Sequence, residues 1–511
     1  MPFSMDARLR SRAVLLGSVL LLLVGCAAPS ARAPAEPAPE HWQALAKADL
    51  EAIHQLILDA HPGTRDELNP GFMEWTETGY HAALALLPRV FNYDSMLAAV
   101  RYYTTGFRDN HLMYSDNIRP ENALIEHAGW EVEYTGNRYM VTATAEVWPV
   151  ALPPVGSILL QCDGRAVDSI LRDDVAPFID RRELPRTPTR LAFALSFLSL
   201  RGGELKRCQF SAPDGATLDL DVVYKGLTSD QWWDWFVAAS EKPMPDRSND
   251  YQLQDGILWI RASNFSLNPE QVMALEAMLD ALPKLAGVRA IVFDARVNGG
   301  GDSSVGDRIF EAATGGLSYD TTGVEQLPQT YAQWRVSDVA IGEAEERVAQ
   351  RRAQYGADSE QLRDAEDHLK ALQDARQKGE IWVRQVEGPR LDRAEIRRRG
   401  GHLKRFDGPI ALLTRGNCAS SCLDFADLVL SVPGAVHLGQ ETSSDTLYID
   451  IAFVTLPSGN GFMIPLKVWR NRLRGNNETL KPDVPLDFDA MDEATVRARV
   501  IEILSLPAES D

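Results

Sequence analysis

The sequence predicts a multidomain α/β protein, α+β in its layout, and three observations point there. The chain has 511 residues, 45% of them hydrophobic, enough for about three domains with substantial cores. Its apolar period changes from helical over 41–114 to strict alternation between about 129 and 224. From Asp255 onward, strand-like and helix-like stretches take turns, as a largely parallel or mixed sheet requires.

The first residues stand outside that plan. Arg8, Arg10 and Arg12 precede an apolar run from Ala13 to Val24, which has the size of a signal-peptide core and is short for a bilayer span. The run ends in Leu23-Val24-Gly25-Cys26, which resembles the bacterial lipoprotein signal, so residues 1–25 are expected to be removed and Cys26 to be lipidated. Residues 26–40, with Pro29, Pro34, Pro37 and Pro39 among alanines, read as an extended tether. The expected location is the bacterial cell envelope, with the chain lipid-anchored at Cys26, facing the periplasm and carried by the outer membrane.

A helical region is expected over 41–125. Trp42, Leu45, Ile53, Leu56 and Ile57 make one apolar face, and His61-Pro62-Gly63 ends it. A second helix through Met96, Leu97, Val100 and Tyr103 leads into Asp109-Asn110-His111. A β-rich module is expected over 126–245. Trp130, Val132 and Tyr134 alternate, Gly136-Asn137 offers a turn, and Tyr139, Val141 and Ala143 resume the pattern. Pro154 to Val167 reads as strand, Asp-Gly turn and strand, and a second hairpin surrounds Asp214-Gly215. Such a module suits capture of an extended segment as an added strand.

The last region, 246–511, holds the alternating elements. Gly256–Ile260, Ala290–Asp294 and Pro409–Thr414 read as strands. Asn268-Pro269 caps a helix with apolar Val272, Leu275, Met278, Leu279 and Leu282. A charged stretch within an insert of about 320–400 carries Leu362, Ala365, Leu369 and Leu372 at three-four spacing, which predicts a helical hairpin or lid.

Charge narrows the function. Asp and Glu number 72 against 52 Lys and Arg, a net charge of −20, and an acidic surface excludes a nucleic-acid binder, whose phosphate contacts need clustered cations. Residues 1–25 carry three Arg and one Asp, so the chain from Cys26 has a net charge of −22, which leaves lipid rather than electrostatics to hold a membrane. Export permits disulfides, but the pairing of Cys162, Cys208, Cys418 and Cys422 stays open. A zinc site at Cys418 and Cys422 lacks a second pair of ligands nearby.

Two strand-end loops carry the chemistry. After Ile291-Val292-Phe293 comes Asp294-Ala295-Arg296-Val297-Asn298-Gly299-Gly300-Gly301-Asp302, where successive glycines let backbone N–H groups approach a ligand atom. After Ile410 to Thr414 comes Arg415-Gly416-Asn417-Cys418-Ala419-Ser420-Ser421-Cys422, where a strand-to-helix turn would expose a hydroxyl beside helix-start amides. Alone, the first reads equally as a flexible loop and the second as a helix cap.

Together, the strand-Asp-x-Arg-x-Asn-Gly-Gly-Gly and strand-Thr-x-x-x-x-Ala-Ser-x-x-x-x-Phe-Ala patterns resemble the tail-specific, or carboxyl-terminal processing, serine peptidases. The resemblance covers about residues 41–490, the insert excluded. It implies a helical N-terminal region, a PDZ-like module and a ClpP/crotonase-like α/β catalytic domain, with no metal or organic cofactor. By the same resemblance Ser420 is the nucleophile, Ser421 gives one oxyanion-hole N–H, and Gly300, with Gly301 next in order, gives the other. The family's Lys base, twenty-five residues on, is replaced by Asp445. The branch that includes the tricorn core uses a His before the PDZ-like module, and Asp109-Asn110-His111 lies at that place, which makes His111 the expected base. That branch also sets a Glu behind the His through a hydroxyl; Glu478 lies just ahead of the Pro482-Asp483 signature, and Asn110 stands where the hydroxyl would be. The expected function is extracytoplasmic cleavage of protein or peptide substrates through an acyl-enzyme. The alternative is an inactive relative that binds peptides or hydrophobic ligands at the envelope. The remaining histidines are expected to be structural.

Overall fold

Sheets from distant parts of the chain organise the molecule, and each takes its composition from the period of its strands. The computed structural model describes residues 37–120, 123–198, 204–239, 246–318, 330–386, 402–472, 474–488 and 490–505. The expected signal segment and Cys26 lie outside the described residues. The architecture is mixed α/β and multidomain.

The helix Pro39–Ala60 opens the described chain, with Pro39 in its first turn, where a missing N–H costs nothing. It buries Trp42, Leu50, Ile53 and Ile57, and His61 ends it. The helices Pro70–Leu84 and Tyr93–Thr105 pack beside it, the latter started by an Asn92/Ser95 capping box. Their apolar faces are covered by a sheet assembled from Met113–Ser115, Tyr331–Arg335, Trp382–Val386, Tyr448–Thr455 and Gly461–Arg470.

The charged insert is built into that same core. Its helices Asp338–Tyr355 and Glu360–Lys378 stand between the paired strands Tyr331–Arg335 and Trp382–Val386, the first of which also pairs with Gly461–Arg470. Ala340, Ala344, Leu372 and Ala375 are buried with the N-terminal helices, while the opposite faces meet solvent. A helical hairpin is thus present as expected, and it is anchored through a sheet.

The β-rich stretch has the hairpin Trp130–Thr135/Arg138–Thr144, then Ile158–Cys162, Arg207–Ser211 and Thr217–Asp221 in one antiparallel sheet. Cys162 and Cys208 face each other across neighbouring strands and form a disulfide.

The last sheet runs in the order Asp250–Gln254, Ile257–Arg261, Ala290–Asp294, Ile410–Thr414, Val436–Gly439 and Val484–Pro485, parallel apart from its first pair. Alternate residues serve two cores, which is why the strands read as unbroken apolar runs. Ile291, Phe293, Ile410 and Leu412 face the helices Pro269–Ala281, Ser303–Thr314 and Ser421–Leu430. Val292, Ala411 and Leu413 face Val496 and Val500 of the helix Glu493–Ser505. Asp294 pairs with Leu413, so the two loops singled out in the sequence leave adjacent strands at the same edge, the carboxyl end where open α/β sheets bind ligands.

Candidate active site

Asn298 shapes the glycine loop. It is fully buried, its Nδ2 donates to Ala262 O (2.7 Å), and its Oδ1 accepts from Gly300 N–H (2.8 Å). Asn417 Nδ2 then donates to Asn298 O (3.1 Å) and ties this loop to the serine loop. Gly300, at φ +105°, lies against the serine turn: a Cβ there would stand 2.8 Å from Ala419 O and 2.9 Å from Ser420 Cβ. Gly301, at φ +135°, bridges to Phe265 and accepts at its carbonyl from Ser421 Oγ (2.5 Å).

Ser420 occupies the N-cap position of the helix Ser421–Leu430, yet its side chain caps nothing. Its backbone sits at φ +54°, ψ −130°, a region nearly reserved for glycine that costs on the order of 1–3 kcal/mol and is held only where surrounding structure enforces it. The brace is covalent: Cys418 and Cys422 form a disulfide around the turn, so the thiols weighed above as metal ligands are spent on each other. The Ser420 hydroxyl is partly exposed and makes no hydrogen bond among the described residues. At the helix start Ser421 N–H has no intrahelical acceptor, as for any first-turn amide.

The Gly300 N–H, expected as the second oxyanion donor, is engaged by Asn298. Among the described residues the amides of Ser421 and Gly301 have no hydrogen-bond acceptor, and neither do those of Gly299, Ala419 and Ser420. What Gly300 supplies as folded is the absence of a side chain.

His111 comes from the N-terminal region and lies close enough to Asp445 to act on its charge. It is buried, its N–H donates to Asp109 Oδ1 (2.8 Å), and its Nδ1 is buried with no hydrogen-bond partner, 3.9 Å from the same carboxylate oxygen. Thr446 Oγ1 donates to Asp109 Oδ2 (2.9 Å). Burial pushes the Asp109 carboxyl above its ordinary range, against the pull of His111, Thr446 and Arg182. The segment carrying Thr446 also reaches the serine turn, where Ser443 N–H donates to Cys418 O (3.0 Å). One short stretch therefore touches both the expected base loop and the expected nucleophile loop. No hydrogen bond joins His111 to Ser420 in this resting arrangement; such contacts often tighten only when substrate is bound.

Asp445, where the resemblance leads one to expect a Lys, is buried and paired with Arg472 and Arg474. Burial would raise this carboxyl, but the two guanidiniums and His111 hold it below its ordinary value. Arg474 also pairs with Asp424 and Asp427 on the helix that follows Ser420. This buried array fixes that helix against the 442–446 segment. Asn110 Oδ1 accepts from Arg182 (3.3 Å).

Glu478 is exposed, and its Oε2 accepts from Gly475 N–H (2.6 Å); the structure does not join it to His111. It lies on the wall of an open cleft of about 830 Å³ with Glu183, Leu184, Pro185, Glu441 and the 477–481 segment. Sequence reasoning assigned no role to Asn298 or to the Asp109 carboxylate. The i, i+2 spacing of Asp109 and His111, which lets a carboxylate fold back on the following backbone, was the available signal for the second.

Residues 256–486 match the model of peptidase family S41, and this segment is a serine-type peptidase domain whose substrates are proteins or peptides. Among solved structures, mature CPAF complexed with lactacystin is similar at 14% identity and a TM-score of 0.57, covering 91% of this chain and 98% of that one. A second structure of mature CPAF is similar at 13% identity and a TM-score of 0.56, covering 91% and 97%. At such identity the likeness shows the fold. No curated protein matches the chain in sequence.

Proposed function

We propose, from the premise of a serine-type peptidase domain, that the chain is an extracytoplasmic endopeptidase working through an acyl-enzyme on Ser420. One observation carries the reading: a serine in strained backbone, its hydroxyl unspent, at a helix start packed under a glycine loop. Structural serines at helix starts use their hydroxyls as caps, and this one does not.

In the proposed cycle Ser420 Oγ attacks the scissile carbonyl while His111 Nε2 takes its proton. The C=O electrons move to oxygen, where Ser421 and Gly301 N–H groups stabilise the charge. The intermediate collapses as His111 returns the proton to the leaving amine, and water releases the acyl group by the reverse sequence. The PDZ-like assignment of 126–245 would make that module the holder of an extended chain. Lipidation at Cys26 and a place in the periplasm complete the proposal; two disulfides fit an oxidising compartment.

The test is labelling of the purified protein with a fluorophosphonate and location of the adduct by mass spectrometry. An adduct on Ser420 that is lost in His111→Ala supports the peptidase. A folded protein that gives no adduct points to the ligand-binding alternative.

A further inference from the structure

We infer that Asp109, not Glu478, is the positioning carboxylate for His111, so that the working relay is Ser420–His111–Asp109. This rests on the proposed roles of Ser420 and His111.

The first support is an unmet need. His111 Nδ1 is a buried ring nitrogen with no partner, and a buried polar atom left unpaired costs on the order of 1–3 kcal/mol. The carboxylate within ion-pair distance of this nitrogen is that of Asp109, whose Oδ1 stands 3.9 Å away. Asp109 itself cannot swing away. One of its oxygens accepts from His111 N–H, the other from Thr446 Oγ1, and its side chain is 1% exposed.

The second support is that other carboxylates nearby are committed. Asp445 faces Arg472 and Arg474, which hold its charge. Glu478 turns to Gly475 N–H on the surface. Among the described residues no guanidinium forms an ion pair with Asp109, and Arg182 acts on it only without direct pairing, so its charge is available to a developing imidazolium. In the relay, the Oγ proton goes to His111 Nε2, and the Nδ1 proton stays on Nδ1, hydrogen-bonded to Asp109. The carboxylate fixes the tautomer that leaves Nε2 as an acceptor and takes no proton.

Asp109→Asn tests this. The amide oxygen still accepts from His111 N–H, so a merely structural Asp109 would survive the change. The expected result is a folded protein whose Ser420 labelling rate, and peptide kcat where hydrolysis is seen, fall by about 10,000-fold, the loss seen when a triad carboxylate becomes an amide, with KM within a few-fold. A far-downfield imidazole N–H proton resonance, present in the unaltered protein and lost in Asp109→Asn, reports the contact independently of activity. If labelling and that resonance both persist in a folded Asp109→Asn, the inference is overturned. If the unaltered protein labels nothing but shows the resonance, lost on substitution, the contact stands and the peptidase reading fails. If the unaltered protein labels at Ser420 yet shows no such resonance, and Asp109→Asn labels at an equal rate, this inference alone fails.

Discussion

Gly300→Ala puts the packing of the two loops to a quantitative test. An alanine Cβ at this position would meet Ala419 O at 2.8 Å, Ser420 Cβ at 2.9 Å and Ser421 N at 3.3 Å, where ordinary Cβ contacts are 3.4 Å or more. Two of these are backbone atoms that cannot rotate aside. The turn must therefore retreat by about half an ångström, which is the tolerance within which catalytic groups have to be held. Misplacement by about 1 Å can cost about 100-fold in rate, so the Ser420 labelling rate is expected to fall by roughly 10- to 100-fold. The φ of +105° adds strain on the order of 1–3 kcal/mol for a non-glycine residue. Gly299 has no atom within 4 Å of a built Cβ, so Gly299→Ala is expected to move stability by less than about 0.5 kcal/mol. The assay is the second-order rate of fluorophosphonate labelling, paired with urea denaturation for both variants. A folded Gly300→Ala protein that labels within threefold of the unaltered rate would refute the close packing of the loops as the determinant of reactivity.

Two further outcomes follow from buried groups. Removing the Cys418–Cys422 disulfide as a double alanine variant frees a loop with a sequence separation of 4; chain entropy puts the loss at about 2 kcal/mol, read from the urea midpoint. Because the bridge holds the strained Ser420 turn, labelling should fall as well, and an unchanged rate would show that the turn keeps its shape unaided. His61 is buried to the point that its pKa drops to about 3, with Nδ1 accepting from Gly63 N–H and the ring stacked on Phe72. Between pH 6.5 and about 3 the unfolded chain binds a proton there that the folded one refuses, so stability is lost as pH falls through that window, by about 1.4 kcal/mol per pH unit. His61→Gln should flatten this part of the stability-against-pH curve measured by urea titration, and an unchanged slope would reject the assignment.

Much of the fold is local and was legible for that reason. The alternation from Trp130 to Ala143 predicts a hairpin because side-chain direction reverses at each residue, and Asn268-Pro269 announces a helix because a cap and an N-terminal proline act within one turn. The two loops were legible as candidates, since glycines and a strand-to-helix serine leave marks in a few residues. The integration of the 338–378 helices into the N-terminal core was not, because their buried alanines and Leu372 look like any amphipathic face until the partner is known.

The site divides along the same line. Sequence alone determined which loops hold the glycines, the serine and the histidine, since residue type and order are its content. Only the tertiary structure decided what each group does with its hydrogen-bonding capacity. It spent Gly300 N–H on Asn298, left Ser420 Oγ and His111 Nδ1 unpaired, turned Glu478 to Gly475, and brought Thr446 to Asp109 from 337 residues away. Such assignments depend on distances of a few ångströms between segments remote in the chain, and no local period encodes them.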